Sequence, residues 1–297
     1  MPDTLQLEPG VYEGMPFDEY CAVEAVNNSR LGRMEESPRH YIEPFRISAP
    51  SLAFGNLAHC GRLEPNALAE RYAVASDWHL DEANTNDKGQ SSTSKATRYY
   101  KDKLAEFAAA NIGKEIVSAD DYRRMQKLVE SIDADPESRR LFEEIGPTEV
   151  TIVWDDPETG IRCKGRIDKV GIGRTGDLKT TGKPLSDFTR SIKRYAYHRQ
   201  QAFYRFGWAV LNGGELLEPW ICAVESESPH CVQSAPIDEM AIYQGDVEWR
   251  RLLNRVAECH ESGCWPGPSA PESWELPSWA VEPVTLSIGG EPVEVAR

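Results

Sequence analysis

The sequence predicts a mixed α/β (α+β) fold, in which a mixed central sheet is flanked by helices and preceded by additional N-terminal helices. Three observations predict it. The chain has 297 residues, of which 40% are hydrophobic, enough to bury a sizeable core. Apolar residues recur with helical spacing up to about residue 145, and the pattern then changes to the alternation of strands. A long helix and a further strand follow this change, an order that indicates a sheet covered by helices.

The first half of the chain is predicted to be helical. The segment Asn27–Ser29 can cap a short helix, which Ser37-Pro38 closes. The small residues of 51–63 are typical of a buried helix, and this helix contains His59. Residues 96–111 and 119–145 have the apolar spacing of two further helices.

The second half is predicted to combine strands with helices. Val150 and Ile152 alternate with polar neighbours, and Asp156–Gly160 has the composition of a hairpin turn. Gly213-Gly214 can end the helix that precedes the last strand. The predicted strands are Thr148–Trp154, Ile161–Val170, Gly176–Thr180 and Pro219–Val224, and the predicted helices are Leu185–Leu211 and Asp238–Glu261. From Trp265 onward the chain holds six prolines and is expected to lie on the surface.

Composition and charge limit the class of protein. No apolar run approaches the ~20 residues that span a bilayer, and the N-terminus lacks the basic and apolar start of a secretory signal. The seven cysteines are odd in number and dispersed, which predicts reduced thiols in a cytoplasmic protein with no membrane partner. The formal net charge of −15 argues against a basic protein that coats nucleic acid nonspecifically.

The densest polar signal lies on two neighbouring predicted strands. Asp177 and Lys179 are two residues apart, so both side chains should lie on one face of their strand. A hairpin through Gly171 and Gly173 could bring Asp168 beside Asp177. Two carboxylates this close resist ionisation unless a cation lies between them, and Mg²⁺ suits such a site. An ordinary surface Asp–Lys pair is the alternative that this short motif leaves open.

Other polar residues extend the pattern. His59 lies in the small-residue helix, where a hydrogen-bonded core histidine is the alternative to a metal ligand. Gln200 and Tyr204 are four residues apart and share one helix face, as they also would in an ordinary amphipathic helix. Both side chains can form hydrogen bonds with a phosphate or a water.

Together these stretches resemble the PD-(D/E)XK nuclease superfamily, and more closely its exodeoxyribonuclease VIII (RecE-like) branch of prophages. The resemblance spans roughly residues 10–280 and implies a restriction-endonuclease-like core. The matching stretches are Gly55–His59 with Leu63–Pro65, Gly165–Asp168, Asp177–Thr181, and Tyr197–Tyr204, which carries a Q-x-x-x-Y element.

The resemblance implies a division of the chain and the roles of its residues. Residues 1–147 would be the N-terminal helical part of the nuclease domain, 148–264 the catalytic core and 265–297 a proline-rich tail. By position, the metal ligands would be His59, Asp168, Asp177 and the main-chain carbonyl of Leu178. Lys179 would be the catalytic lysine, with Gln200 and Tyr204 positioning DNA or water. Glu64 could cap or brace the His59 helix, and Glu149 is not expected to bind metal.

The activity implied is that of a Mg²⁺-dependent exodeoxyribonuclease, with Mn²⁺ as a substitute. Such an enzyme digests one strand of linear double-stranded DNA 5′ to 3′ and leaves a 3′ single-stranded tail for recombination. The expected partners are the DNA, a RecT-like annealing protein and, by analogy alone, further copies in a ring-shaped homo-oligomer.

A basic segment offers a path for the DNA. Residues 188–214 contain five basic residues and no acidic one, which is unusual in a chain of net charge −15. We expect Arg190, Arg194 and Arg199 to contact phosphates. A solvated helix face is the alternative.

Two other functions remain open. A RecB- or CRISPR-type nuclease acting on single strands often carries an iron–sulfur cluster, which needs four cysteines. Here only Cys259 and Cys264 lie close together, so no iron–sulfur cluster is expected. A catalytically silent acidic protein that mimics DNA is the second alternative.

Overall fold

The structure is a computed structural model that describes residues 5–44, 50–270, 273–275, 285–288 and 291–294. Its strands are β1 (Gly10–Tyr12), β2 (Tyr72–Ala75), β3 (Glu115–Ser118), β4 (Thr148–Asp155), β5 (Arg162–Val170), β6 (Arg174–Thr181), β7 (Glu218–Glu225), β8 (Val232–Pro236), β9 (Thr285–Ile288) and β10 (Glu291–Glu294). Its helices are α1 (Phe17–Ala22), α2 (Asn28–Glu36), α3 (Pro38–Ile42), α4 (Pro50–Leu63), α5 (Leu68–Arg71), α6 (Arg98–Ala110), α7 (Ala119–Ala134), α8 (Pro136–Glu143), α9 (Phe188–Arg194), α10 (Tyr197–Leu211) and α11 (Glu239–Ser262).

A six-stranded mixed sheet forms the centre of the fold. Its strand order is β1-β4-β5-β6-β7-β8. Strands β6 and β7 are parallel, and the other neighbours are antiparallel. Parallel neighbours need a crossover, which α9 and α10 provide. The predicted mixed sheet flanked by helices is therefore confirmed.

Strand β8 was absent from the sequence prediction. Its residues are exposed or half-buried, so they lack the alternating apolar pattern by which a strand is predicted. The main chain of β7, to which it pairs in antiparallel register, decides its conformation. Of the tail from Trp265, the structure describes residues 265–270, 273–275, 285–288 and 291–294, and residues 266–270 and 273–275 are exposed. Within it, Trp265 stacks on Tyr41 with ring centroids 5.6 Å apart.

Two helices predicted to be continuous are interrupted. Asp135 caps α8 through a hydrogen bond to the Ser138 N–H and Pro136 starts that helix, so the segment 119–145 divides into α7 and α8. The segment 185–211 begins with a 3₁₀ turn and breaks between α9 and α10, because Ala196 takes a left-handed conformation with φ 53°. Neither glycine nor proline marks this break, which explains why the helical pattern extends across it.

The two faces of the sheet carry separate apolar clusters. On one face α2, α10 and α11 pack through residues such as Trp154, Phe203 and Trp249. On the other face α4, α7 and α8 pack, and Leu57 and Leu178 lie in this cluster. Helix α4 with His59 and helix α10 with Gln200 therefore approach β5 and β6 from opposite faces. Among the described residues, no helix is both long and apolar enough to cross a bilayer.

Candidate active site

The site begins where strands β5 and β6 separate. Their ladder pairs are Lys169 with Gly176 and Val170 with Thr175, next to the turn. Beyond them the Leu178 N–H donates to Oδ2 of Asp168 at 2.7 Å, so a side-chain carboxylate replaces a strand carbonyl as acceptor. The buried carboxylate of Asp168 is thereby held beside the segment that carries Asp177, as the predicted hairpin requires.

Three potential metal ligands converge at this point. The ligand atoms of His59 on α4, Glu149 on β4 and Asp168 on β5 all lie within 4.8 Å of one another. His59 Nδ1 is 3.4 Å from Asp168 Oδ2. Two carboxylates and an imidazole suit a divalent cation such as Mg²⁺ or Mn²⁺. The structure thus brings His59 and Asp168 together, two of the residues that the family resemblance names as metal ligands.

Glu149 is the member of this group that sequence reasoning missed. Its backbone is left-handed, with φ 53°, between the ladder pairs that Thr148 and Val150 form with β5. Such a conformation costs of order 1–3 kcal/mol and persists only where the surroundings enforce it. Arg166 Nε also holds the Glu149 carboxylate at 2.5 Å. A left-handed strand residue has no sequence signature except at glycine, so no pattern could have identified this ligand position.

The Asp177–Lys179 pair completes the site on β6. Lys179 Nζ is 2.6 Å from Asp177 Oδ2, in agreement with the prediction that both side chains share one face. Although this contact is short, Asp177 Oδ2 is buried and accepts no hydrogen bond of good geometry. A buried carboxylate oxygen with unused acceptor capacity fits a bound cation, but Asp177 lies outside the group of three whose ligand atoms are all within 4.8 Å of one another.

The titratable groups at the site are strongly perturbed. Burial, reinforced by the nearby Asp177 charge, raises the pKa of Asp168 to about 7. Burial and then Asp168 raise the pKa of Glu149. Burial and the Lys179 charge lower the pKa of His59 and keep it neutral. The raised pKa values disfavour ionised carboxylates, and a divalent cation would counteract this by stabilising their negative charge. The lowered pKa of His59 already favours the neutral imidazole that a metal requires.

Lys179 differs from these three groups because its surroundings favour its charged form. Burial alone lowers the pKa of its ammonium group, but the carboxylates of Asp177 and Asp168 outweigh burial and raise this pKa. Its ammonium group also lies 5.0 Å from the centre of the Tyr197 ring. Lys179 is therefore positively charged at neutral pH.

Gln200 and Tyr204 share a face of α10, as their spacing predicts. Gln200 Nε2 donates to the Tyr204 hydroxyl at 3.4 Å. The Tyr204 ring lies against Gly165 of β5, where a Cβ would be 2.7 Å from the ring. Burial and the charge of Asp177 raise the pKa of Tyr204, which stays a hydrogen-bond donor. The small residue at 165 thus allows α10 to place Tyr204 close to β5.

The three arginines expected to contact DNA lie in different environments. Arg190 and Arg194 are exposed on α9. Arg199 is 4% exposed, and its guanidinium donates to Asn28 Oδ1 at 2.9 Å and to Glu35 at 2.8 Å. The expectation of a phosphate contact is therefore wrong for Arg199, because its side chain links α10 to α2 inside the protein.

The remaining residues of the motifs have structural positions. Leu178 is fully buried in the core, so only its main chain can reach the site. Glu64 follows α4 and accepts two hydrogen bonds from Arg71, at 2.5 and 2.7 Å. This pair braces the end of the helix that carries His59, one of the two roles considered for Glu64.

Known proteins resemble this chain to different extents. The family model described as "PDDEXK-like domain of unknown function (DUF3799)" matches residues 25–271, which include every residue of the site. The solved structure of a candidate exonuclease from Eubacterium rectale has a TM-score of 0.50 and 14% identity, over 79% of this chain and 82% of that chain. At this identity the likeness concerns the fold alone.

A third likeness is partial. Cyclin-dependent kinase B2-1 of Arabidopsis thaliana is 29% identical over 120 residues, which are 37% of this chain and 36% of the kinase. The chain thus spans little more than a third of that curated relative. So short a match shows no shared family.

Proposed function

The chain belongs to the PDDEXK-like family, a membership that supports a nuclease, and on this basis we propose that it is a Mg²⁺-dependent exodeoxyribonuclease of the RecE-like type. Its substrate is linear double-stranded DNA, of which it degrades one strand 5′ to 3′ and leaves a 3′ single-stranded tail. The observation that carries the proposal is the convergence of His59, Glu149 and Asp168 beside the Asp177–Lys179 pair.

The metal would be held by the residues around the opening between β5 and β6. Nucleases of the PDDEXK type generally depend on divalent metals. The donor set would be His59, Asp168 and Glu149, whose ligand atoms converge, together with Asp177 and the Leu178 carbonyl, which the family resemblance adds. When bound, a divalent cation supplies neutralisation of phosphate charge and a more acidic water.

Lys179 would act on the phosphate. As a buried ammonium group paired with Asp177, it can donate a hydrogen bond to a phosphate oxygen and stabilise the charge that develops there. The carboxylates that raise the pKa of Lys179 favour charge stabilisation over removal of a proton from water as its role. Gln200 and Tyr204 supply hydrogen-bond donors from α10, on the face of the sheet opposite to α4 and His59. There they can orient the phosphate or a water.

Digestion of end-labelled duplex DNA tests this function. Wild-type protein with Mg²⁺ should release a 5′ label early and a 3′ label late, and a chelator should stop both. Asp177→Ala and Lys179→Ala should abolish digestion while thermal unfolding stays cooperative. Lys127→Ala and Glu130→Ala, which change exposed charges on α7, are matched controls and should keep the wild-type rate.

Other outcomes would identify a different function. Cleavage confined to single strands would favour the RecB- or CRISPR-type alternative. Duplex that stays intact, in a protein that binds no Mg²⁺, would favour the silent acidic DNA mimic. The RecT-like partner, the ring-shaped homo-oligomer and the cytoplasmic location stay predictions.

A further inference from the structure

An exposed tyrosine lies at the break between α9 and α10. Tyr195 follows the last residue of α9, and the left-handed Ala196 separates it from α10. It is 55% exposed, although most aromatic side chains of the surrounding core are buried. Because the chain changes direction here, Tyr195 does not continue the packed face of either helix.

A short series of rings connects Tyr195 to the candidate active site. The ring centroids of Tyr195 and Tyr197 are 5.7 Å apart, with an angle of 32° between the ring planes. The Tyr197 ring in turn lies 5.0 Å from Lys179 Nζ. The Tyr197 ring thus lies between Tyr195 and Lys179, the lysine assigned to the phosphate. Neighbouring parts of one nucleotide chain can span this separation.

One guanidinium group lies beside the exposed ring, and a second arginine is exposed on the same helix. The Arg194 guanidinium lies 5.6 Å from the centre of the Tyr195 ring. Arg190, one helical turn before Arg194 on α9, has a side chain that is 87% exposed and lies 3.4 Å from the Asp187 carboxylate, which is itself half exposed. Guanidinium groups beside an accessible aromatic ring are the combination with which proteins bind single-stranded nucleic acid, through phosphates and stacked bases respectively.

We propose that Tyr195 stacks on the base of an unpaired nucleotide next to the phosphate that Lys179 engages. A base within a duplex has both faces covered by its neighbours, so it must leave the stack before Tyr195 can contact it. The substrate at the site is then a DNA strand whose terminal bases are unpaired, and Arg190 and Arg194 contact the phosphates of that strand. This inference rests on the proposed function and specifies the form in which DNA enters.

Binding of a short single-stranded DNA tests the stacking, measured without divalent metal so that no cleavage occurs. The probe carries near its end a fluorescent adenine analogue whose emission falls on stacking. Tyr195→Ala should raise the Kd about tenfold and abolish the fall in emission. Tyr195→Phe and Tyr195→Trp should retain both properties because they keep an aromatic face. Tyr243→Ala removes a tyrosine of similar exposure, 63%, from α11 and is the matched control.

A probe with abasic sites in place of its terminal bases distinguishes stacking from a structural effect. Wild-type protein and Tyr195→Ala should bind this probe equally, because no base remains to stack. A Kd that Tyr195→Ala leaves unchanged on the intact probe, or raises equally on both probes, would overturn the inference. Failure of wild-type protein to digest DNA, with stacking retained, would contradict the nuclease function and leave the stacking intact.

Discussion

Replacement of Asp168 by asparagine should stabilise the metal-free protein while removing its activity. The Asp168 carboxylate is buried beside Asp177 and near Glu149, so its ionised form is disfavoured until a cation binds. Asparagine has nearly the same shape and keeps an oxygen that can accept the hydrogen bond from the Leu178 N–H. The variant thus removes a charge and preserves the contact between β5 and β6.

The size and sign of this effect follow from the pKa. Folding raises the Asp168 pKa to about 7, whereas a carboxyl in an unfolded chain has a pKa of about 3.9. Between these values the folded state binds more protons than the unfolded state, so wild-type stability falls as pH rises. The full cost of the charge is about 4 kcal/mol at a pH above both values. Because Lys179 loses an attractive partner in the variant, we expect a net gain of about 1–3 kcal/mol.

Thermal unfolding in a chelator measures the gain. At roughly 2 °C per kcal/mol for a chain of this size, the Tm of Asp168→Asn should exceed that of wild type by about 2–6 °C near pH 8. The difference should shrink near pH 5, where wild-type Asp168 is largely protonated. Glu130→Gln neutralises an exposed carboxylate on α7 and should leave the Tm unchanged at both pH values. A Tm for Asp168→Asn that is equal to or below wild type near pH 8 would refute the reasoning.

Three further measurements test the site. Mg²⁺ at about a hundredfold its Kd should raise the unfolding free energy of wild type by about 2.7 kcal/mol, and a calorimetric scan without this rise would exclude a metal site. Glu149→Gln should weaken Mg²⁺ binding about tenfold or more in a titration, since it removes the negative charge of one of three converging groups, and unchanged affinity would show that Glu149 is not a ligand. Gly165→Ala should lower the unfolding free energy in urea by about 1–3 kcal/mol, because its Cβ would lie 2.7 Å from the Tyr204 ring. An unchanged urea midpoint would contradict this placement of Tyr204.

Local rules explain what could be predicted from the sequence. The two-residue period of a strand places Asp177 and Lys179 on one face, and the four-residue spacing of a helix does the same for Gln200 and Tyr204. The cap at Asn27, which accepts a hydrogen bond from the Arg30 N–H, follows from the same short-range chemistry. Each of these relations connects residues no more than one helical turn apart.

The position of Arg199 shows where this reasoning ends. A run of basic residues in an acidic chain predicts contact with phosphate, but two partners on α2, distant in sequence, hold Arg199 inside the protein. The break at Ala196 is of the same kind, since the left-handed backbone of this residue, with φ 53°, is seen only in the structure. Charge and periodicity describe a segment and do not specify which neighbour covers it.

The sequence by itself determined the class of fold, the strand pair with its Asp177 and Lys179, and the family resemblance that included His59 and Asp168. Only the tertiary structure decided that Glu149 joins them, that Arg199 is buried and that Tyr195 is exposed near Lys179. The physical reason is the range of the interactions. Hydrogen bonds and side-chain periodicity act over a few residues, whereas a metal site or a stacking surface forms where packing brings distant segments together.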